Sequence, residues 1–286
     1  MILWLASYPK SGNTWVRLII SQLLYWNDKH KKNTLEYINN IGSYPRLIHY
    51  LNIPKFKDTE KITNKEDVIK NWIPTQEIIN LGTKIKIFKT HNSLCKFEIK
   101  GVSYNFTNLE NSIGAIYVVR DPRSLISSIY HHLSLNTLDD AANMLITKST
   151  WGGLKSKPVA EFLSSWEIHY LSWKRFPKKF LLIKYEDLIK DPKEEILRLC
   201  NFLIQFFDFK YNDEIISRII ENTSFKKLKQ HEIQYGFEES VLDKNTNKKK
   251  SFFHQGPNNN WKSINKELLE KIELEFGKTM KELKYL

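Results

Sequence analysis

The sequence predicts an α/β fold, a doubly wound parallel sheet flanked by helices in a single domain over residues 1–286. Three observations carry this expectation. Short apolar runs recur along the chain and stop at turn residues, the pattern of strands buried on both faces. Three of the four runs are followed by a stretch with apolar residues at helical spacing. Strands that alternate with helices in this way form parallel sheets, and no linker divides the chain.

Each element has its own signal. The chain opens on Ile2-Leu3-Trp4-Leu5-Ala6 and turns at Tyr8-Pro9, after which Thr14–Tyr25 places Trp15, Leu18, Ile19 and Leu23 at helical spacing. A second strand is expected over Lys84–Lys89. A third, Ile113–Val119, ends at Arg120-Asp121-Pro122, with a helix from Ser124. A fourth, Phe180–Ile183, runs into Lys184-Tyr185-Glu186-Asp187, and a helix follows over Pro192–Phe202. Residues 30–80 and 133–165 are polar and mixed, and are expected to be helical in pieces. Residues 236–260, with Gly236, Gly256, Pro257 and a low-complexity run at Lys244–Lys250, read as a mobile loop. Glu267–Leu286 carries Leu268, Leu269, Ile272, Phe276, Met280 and Leu283 on one helical face. No internal repeat is present.

Composition excludes several classes. With 41% hydrophobic residues over 286 positions, the chain is neither disordered nor fibrous, and it can bury roughly 75% of its unfolded surface. No run reaches the ~18–20 apolar residues of a membrane span. The N-terminus lacks a basic leader and is interrupted by Pro9-Lys10-Ser11-Gly12, so a cytoplasmic protein is expected, with Cys95 and Cys200 reduced. Two cysteines form neither a disulfide framework nor a zinc set. The net charge of +12 has two readings, because 37 of the 44 cations are Lys and the chain holds 24 Asn, which fits an A/T-rich coding bias as well as a polyanionic partner. The one tight cationic run is Lys248-Lys249-Lys250, and no nucleic-acid partner and no membrane are expected.

The loop Tyr8-Pro9-Lys10-Ser11-Gly12-Asn13-Thr14-Trp15 joins the first strand to the first helix. A glycine-containing turn that runs into a helix N-terminus offers backbone N–H groups and the positive end of the helix dipole to a phosphate or sulfate. Lys10 adds a charge, and Ser11 and Thr14 add hydroxyls. An ordinary turn capped by Asn13 or Thr14 is the alternative. A nucleoside-triphosphate loop would place its Lys directly after the second Gly, followed by a hydroxyl for Mg²⁺. Here Lys10 precedes the loop's only Gly, so an ATP-dependent kinase or NTPase is the runner-up reading.

Pro9-Lys10-Ser11-Gly12-Asn13-Thr14-Trp15 resembles the 5′-phosphosulfate loop of cytosolic-type sulfotransferases, which use 3′-phosphoadenosine 5′-phosphosulfate (PAPS) and have a P-loop-like α/β fold. Further segments agree in order from residue 4 to residue 262. Lys89-Thr90-His91 follows the second strand, and the resemblance makes His91 the catalytic base and Lys89 its basic partner. A base is needed because a hydroxyl is a poor nucleophile until its proton is taken; a capped, structural His is the plain alternative. Arg120 and Ser128, eight residues apart, resemble the 3′-phosphate site, where the planar fork of Arg suits phosphate oxygens. The alternatives are an ion pair of Arg120 with Asp121 or Asp187, or Asp121 as a Mg²⁺ ligand. Tyr185 in Lys184–Leu188 and Thr223 and Phe225 in Asn222–Leu228 resemble the segments that reach the nucleotide, with Trp15 and Phe225 as stacking partners for a purine or as plain core. Ser164–His169 with Trp173 also matches the family and reads as structural.

One segment departs. Where the family has Arg-Lys-Gly-x-x-Gly-Asp-Trp-Lys, this chain has His254-Gln255-Gly256-Pro257-Asn258-Asn259-Asn260-Trp261-Lys262, preceded by Phe253. Two cations are missing from the 3′-phosphate clamp, at roughly 1.5–3 kcal/mol per charged hydrogen bond. Lys248–Lys250 are candidates to compensate, and His254 could give a pH-dependent clamp. The family's dimer motif is absent, so no oligomeric state is carried over. The resemblance implies in-line sulfuryl transfer to a hydroxyl or amine of a small-molecule acceptor, with Lys10, Lys89 and the loop N–H groups stabilising the departing phosphate and no metal. The aromatics Tyr37, Tyr44, Tyr50, Trp72, Tyr104 and Trp151 are candidates for either an acceptor pocket or the core.

Overall fold

The structure is a computed structural model that describes residues 1–25, 33–153, 157–243, 246 and 248–286. Lys244, Asn245 and Asn247 of the Lys-rich run lie outside the described residues, as do parts of the two polar segments. In chain order the elements are β1 (Ile2–Ser7), α1 (Asn13–Tyr25), β2 (Gly42–Ser43), α2 (Leu47–Tyr50), α3 (Lys65–Lys70), α4 (Trp72–Asn80), β3 (Lys86–Thr90), β4 (Lys96–Ile99), β5 (Val102–Asn105) and β6 (Ser112–Val119). There follow α5 (Pro122–Leu133), α6 (Leu138–Ile146), β7 (Trp151–Gly152), β8 (Glu161–Phe162), α7 (Trp166–Lys174), β9 (Lys179–Lys184), α8 (Tyr185–Lys190), α9 (Pro192–Leu203), α10 (Asp213–Asn222), α11 (Phe225–Tyr235) and α12 (Lys266–Glu282).

The chain forms two compact units. The first comprises Met1–Tyr8, Ile41–Val118 and Thr147–Leu182; the second comprises Pro9–Asn40, Val119–Ile146 and Ile183–Leu286. The segments of the first unit end within two residues of the C-terminal ends of β1, β6 and β9.

The first unit holds the five-stranded sheet, in the order β2-β3-β1-β6-β9. β1 lies at its centre and pairs in parallel with β3 (Leu3↔Ile87, Ala6↔Thr90) and with β6 (Leu5↔Ile116, Ser7↔Val118). All six residues of β1 are buried, which is why five of them, Ile2–Ala6, form a continuous apolar run. The Trp4 ring meets Tyr44, Phe106 and Trp173 at centroid distances of 5.4, 5.2 and 6.3 Å. Tyr44, Tyr50 and Trp72 are fully buried, so they belong to the core and offer no surface to an acceptor. Two antiparallel pairs, β4–β5 and β7–β8, complete the unit. Neither they nor β2 were signalled by the sequence.

The second unit is helical. Leu18, Leu35, Ile38, Leu228, Phe237 and Phe253 form one of its buried clusters, with Trp15, Phe225 and Phe252 packed on it. The third-strand helix, expected from Ser124, begins at Pro122 because the Asp121 side chain accepts the Arg123 N–H as its N-cap. The terminal helix, expected to reach Leu286, stops at Glu282; Lys284 adopts a left-handed φ of 58° beyond it. In this unit Arg123 lies 3.8 Å from the Trp261 ring and donates to Glu273 at 2.6 Å and to the Tyr285 carbonyl at 2.7 Å.

Candidate active site

In the first unit, β3 delivers Lys89 and, immediately after it, His91. The His91 Nδ1 lies 2.7 Å from the Ser7 carbonyl oxygen. A carbonyl only accepts, so Nδ1 carries the proton and Nε2 keeps a lone pair. That Nε2 makes no hydrogen bond among the described residues. Burial is the largest influence on His91 and pushes its pKa well below the usual histidine range; Lys89 and Lys157 act in the same direction. The ring is therefore neutral at pH 7, the state a general base requires.

The main chain at His91 is held from both sides. Its N–H donates to Glu161 Oε1 at 3.1 Å, and its carbonyl accepts from His169 Nε2 at 3.0 Å. Burial alone would raise the Glu161 carboxyl, but Lys157, which donates to it, together with His91 and Lys89 holds it at about 2. Asn92 accepts the Phe162 N–H at 2.8 Å on its side chain and the Trp173 Nε1–H at 2.9 Å on its carbonyl.

In the second unit the loop after β1 carries two left-handed residues, Lys10 (φ 68°) and Gly12 (φ 102°). A non-glycine residue in this region is a strained conformation of the kind that gathers at binding sites. Gly12 is required for a second reason: a Cβ there would lie 2.6 Å from Cδ2 of Tyr185. The first turn of α1 contains no acidic residue, which suits an anion at its positive end. Ser11 Oγ, Trp15 Nε1 and Arg120 Nε are buried and have no hydrogen-bond partner among the described residues. Such groups are costly unless a ligand or water satisfies them, so these donors fit a phosphate- and sulfate-bearing molecule.

Arg120 stacks 4.1 Å above the Tyr185 ring and reaches the Lys10 and Gly256 carbonyls at 3.3 and 3.5 Å. It makes no ion pair among the described residues; Asp121 pairs instead with Arg123 at 2.7 Å. This removes both the Arg120–Asp121 pair and Asp121 as a free Mg²⁺ ligand. The Ser128 hydroxyl donates to the Ser124 carbonyl at 3.3 Å and lies 3.4 Å from Asn259 Nδ2.

Other expected residues have different surroundings. Asn13 is buried at the start of α1. The Thr14 hydroxyl donates to Glu239 at 2.8 Å, and the same carboxylate takes Arg17 at 2.9 Å. The Thr223 hydroxyl bonds back to the Ile219 carbonyl at 2.7 Å. Phe253 is in the buried cluster, whereas its neighbour Phe252 lies 3.9 Å beneath Lys10 Nζ. Phe225 packs against Gly256, where a Cβ would lie 2.2 Å from its ring. His254 and Gln255 are exposed, and the His254 ring stacks on His131 at 3.9 Å. Lys250 is taken up by Asp243 at 3.4 Å and Ser134 at 3.3 Å. Lys229, which the sequence did not single out, has Nζ 3.5 Å from the His254 carbonyl and 6.0 Å from the Phe225 ring. Asn259, in place of the family's second Gly, donates to the Ser124 carbonyl at 2.7 Å and so ties this loop to α5.

Residues 2–284 match the family model described as a sulfotransferase domain. The chain belongs to the sulfotransferase family. Sulfotransferase 1B1 of dog is 27% identical over 265 residues, 91% of this chain and 76% of that protein. Human sulfotransferase 1E1 is 28% identical over 293 residues, covering 97% and 83%. Flavonol 3-sulfotransferase of Flaveria bidentis is 26% identical over 285 residues, covering 94% and 78%. The fold is that of retinol dehydratase, solved with androsterone and the inactive cofactor PAP (TM-score 0.61, 20% identity, 98% of this chain and 80% of that one). It is also that of mouse sulfotransferase SULT7A1 complexed with PAP (TM-score 0.60, 18% identity, 98% and 84%). This sulfotransferase is PAPS-dependent, and the kinase alternative is not favoured. Among the described residues no group of three or more His, Cys, Asp or Glu could hold a metal ion, and no helix is long and apolar enough to cross a membrane.

Proposed function

We propose that residues 1–286 act as one cytoplasmic sulfotransferase domain that sulfates a hydroxyl, or an amine, of a small-molecule acceptor, with His91 as the general base. The observation that carries this reading is the proton pattern of His91: Nδ1–H donates to the Ser7 carbonyl at 2.7 Å, which leaves Nε2 as a lone pair. Two relatives are named for, or were solved with, alcohols of this kind, a flavonol in one case and androsterone in the other.

When bound, PAPS supplies an activated sulfuryl group and departs as adenosine 3′,5′-bisphosphate. His91 Nε2 takes the proton of the acceptor hydroxyl as its oxygen attacks. Lys10, Ser11, Gly12, Asn13, Thr14 and the Trp15 indole N–H hold the 5′ end, and Lys10 offsets negative charge as it grows there, a role that the family resemblance gives to Lys89 as well. Arg120 and Ser128 hold the 3′-phosphate, with Lys229 and the Phe253–Gly256 segment in place of the family's basic pair. Tyr185, Thr223 and Phe225 shape the nucleotide side. Catalysis then rests on positioning and charge stabilisation, as in phosphoryl transfer.

The test is calorimetric titration of adenosine 3′,5′-bisphosphate against Mg-ATP at fixed salt. The bisphosphate is expected to bind, and Arg120→Ala to weaken it roughly 10- to 100-fold, the value of one charged hydrogen bond or two. His91→Ala should bind the bisphosphate normally and lose sulfuryl transfer by about 10²-fold or more. Preferential binding of Mg-ATP, or near-normal turnover in His91→Ala, would overturn the reading.

A further inference from the structure

His169 lies on α7 and is fully buried, and the sequence marks it only as part of a structural stretch. Its hydrogen bonds are fully specified. Nε2 faces the His91 carbonyl at 3.0 Å, so Nε2 carries the proton. Nδ1 is then an acceptor, and the Tyr117 hydroxyl lies 2.8 Å from it. Burial keeps Tyr117 a neutral phenol, so it donates, and its oxygen in turn accepts a main-chain hydrogen bond from Tyr8.

These bonds close a circuit. Tyr8 N–H donates to Tyr117, Tyr117 to His169, His169 to the His91 carbonyl, and His91 Nδ1–H to the Ser7 carbonyl. The Ser7 carbonyl and the Tyr8 N–H belong to the same peptide group. That peptide immediately precedes the Pro9–Trp15 loop in the chain. The proton directions follow from the groups that can only donate or only accept, the Tyr8 N–H and the His91 and Ser7 carbonyls; the Ser7 hydroxyl, at a longer 3.3 Å from His91 Nδ1, accepts from the same N–H. Reversing His169 would set its lone pair against the lone pairs of the His91 carbonyl.

We propose that His169, acting through Tyr117, is a positioning residue that holds the His91 main chain against the 7–8 peptide and thereby locks His91 in the tautomer whose Nε2 can take a proton. This rests on the reading of His91 as the base. Removing the lock frees the imidazole to rotate or to shift its proton to Nε2, a form that cannot serve as base. A wrong histidine tautomer is expensive in other enzymes that depend on an oriented imidazole.

The experiment uses ¹⁵N-histidine-labelled full-length protein, with the His91 resonances assigned by their loss in His91→Gln. In the wild type His91 should show a protonated Nδ1 and a bare Nε2. His169→Leu should introduce the Nε2–H form and lower kcat at least 10-fold, while the Kd for adenosine 3′,5′-bisphosphate stays within twofold. His169→Gln, whose amide has one donor and one acceptor end, should recover most of kcat. Tyr117→Phe, which keeps the packing, guards against misfolding of the Leu variant and should shift the tautomer in the same direction. The inference is overturned if folded His169→Leu and Tyr117→Phe leave both the His91 tautomer and kcat within twofold of wild type. If the tautomer shifts but the wild type transfers no sulfuryl group to any acceptor, the lock stands and the function assigned to His91 falls.

Discussion

His91 can accept a proton only while its ring is neutral, and its surroundings secure that state across the physiological range. Its pKa is pushed well below 6.5, chiefly by burial and then by Lys89. A base with a lowered pKa loses activity only when the pH falls below that lowered value. We therefore predict that kcat stays level from pH 8 down past 6.5 and declines at lower pH; a half-point at or above 6.5 in the pH–rate profile would contradict the environment described for His91. His254 is shifted in the same direction, by burial first and then by Lys229 and Lys250. It stays neutral above pH 6.5, so bisphosphate affinity should be constant between pH 7 and 8, and the fixed cation that reaches this loop is Lys229, from α11. Lys229→Ala is expected to raise the bisphosphate Kd about 5- to 20-fold, the worth of one partly exposed charged contact, and a Kd within twofold of wild type would remove Lys229 from the clamp. His91, Lys10 and Arg120 were legible in the sequence because each follows an apolar strand within a recognisable local run. Glu161 and His169 were not, because they meet the His91 main chain across 70 and 78 residues, and no local spacing encodes such a pairing. Phe252 and Phe253 were indistinguishable by position, and packing alone decided which one faces Lys10.

Among the elements, two turns depend on glycine for reasons that a mutation can separate from ordinary turn flexibility. Gly12 has φ 102° and would place a Cβ 2.6 Å from Tyr185, and Gly256 has φ 53° and would place one 2.2 Å from Phe225. Both rings belong to side chains assigned to the nucleotide, so the substitution strains the backbone and displaces a binding group together. Gly12→Ala and Gly256→Ala should each cost about 1–3 kcal/mol of stability and weaken bisphosphate binding at least 10-fold. Gly82→Ala, with nothing within 4 Å of its new methyl, should leave binding unchanged, and equal losses in all three variants would refute the distinction. The long elements were legible because burial imposes a pattern: most buried positions of β1 and β6, and Val16, Leu18, Ile19, Ile20 and Leu23 of α1, are apolar. β4 and β5 left no such trace, since their residues are exposed or only half-buried and each strand has four residues. β2, β7 and β8, with two residues each, are shorter than any period that could mark them.

For the whole molecule, the same burial that prepares the site sets the range of pH over which the chain stays folded. His49 and His169 are lowered to about 4, His49 by burial and Arg46 and His169 by burial against its hydrogen bonds, and His91 is also held well below the usual histidine range. A histidine with a depressed folded pKa contributes stability that is present above its unfolded value near 6.5 and is lost as pH falls toward the folded value, because the unfolded chain takes the proton first. For fully buried His169 a shift of this size corresponds to about 3 kcal/mol once the pH is below 4. Glu161, held at about 2 by its basic neighbours despite burial, extends the loss from pH 4.5 downward. On the alkaline side Tyr44 is raised to about 12, by burial, and Tyr8 and Tyr117 are also raised. Their contribution is complete below pH 10 and declines as the pH rises through the folded values. The urea midpoint should therefore form a plateau between pH 7 and 9.5, fall toward pH 4, and begin to fall again above pH 10. His169→Gln removes one titrating group without removing its hydrogen bonds, so its acid limb should be shallower than that of the wild type between pH 6.5 and 4. An acid limb of unchanged slope would mean that His169 is not held neutral in the fold, and the proton direction assigned to the His91 circuit would fail with it.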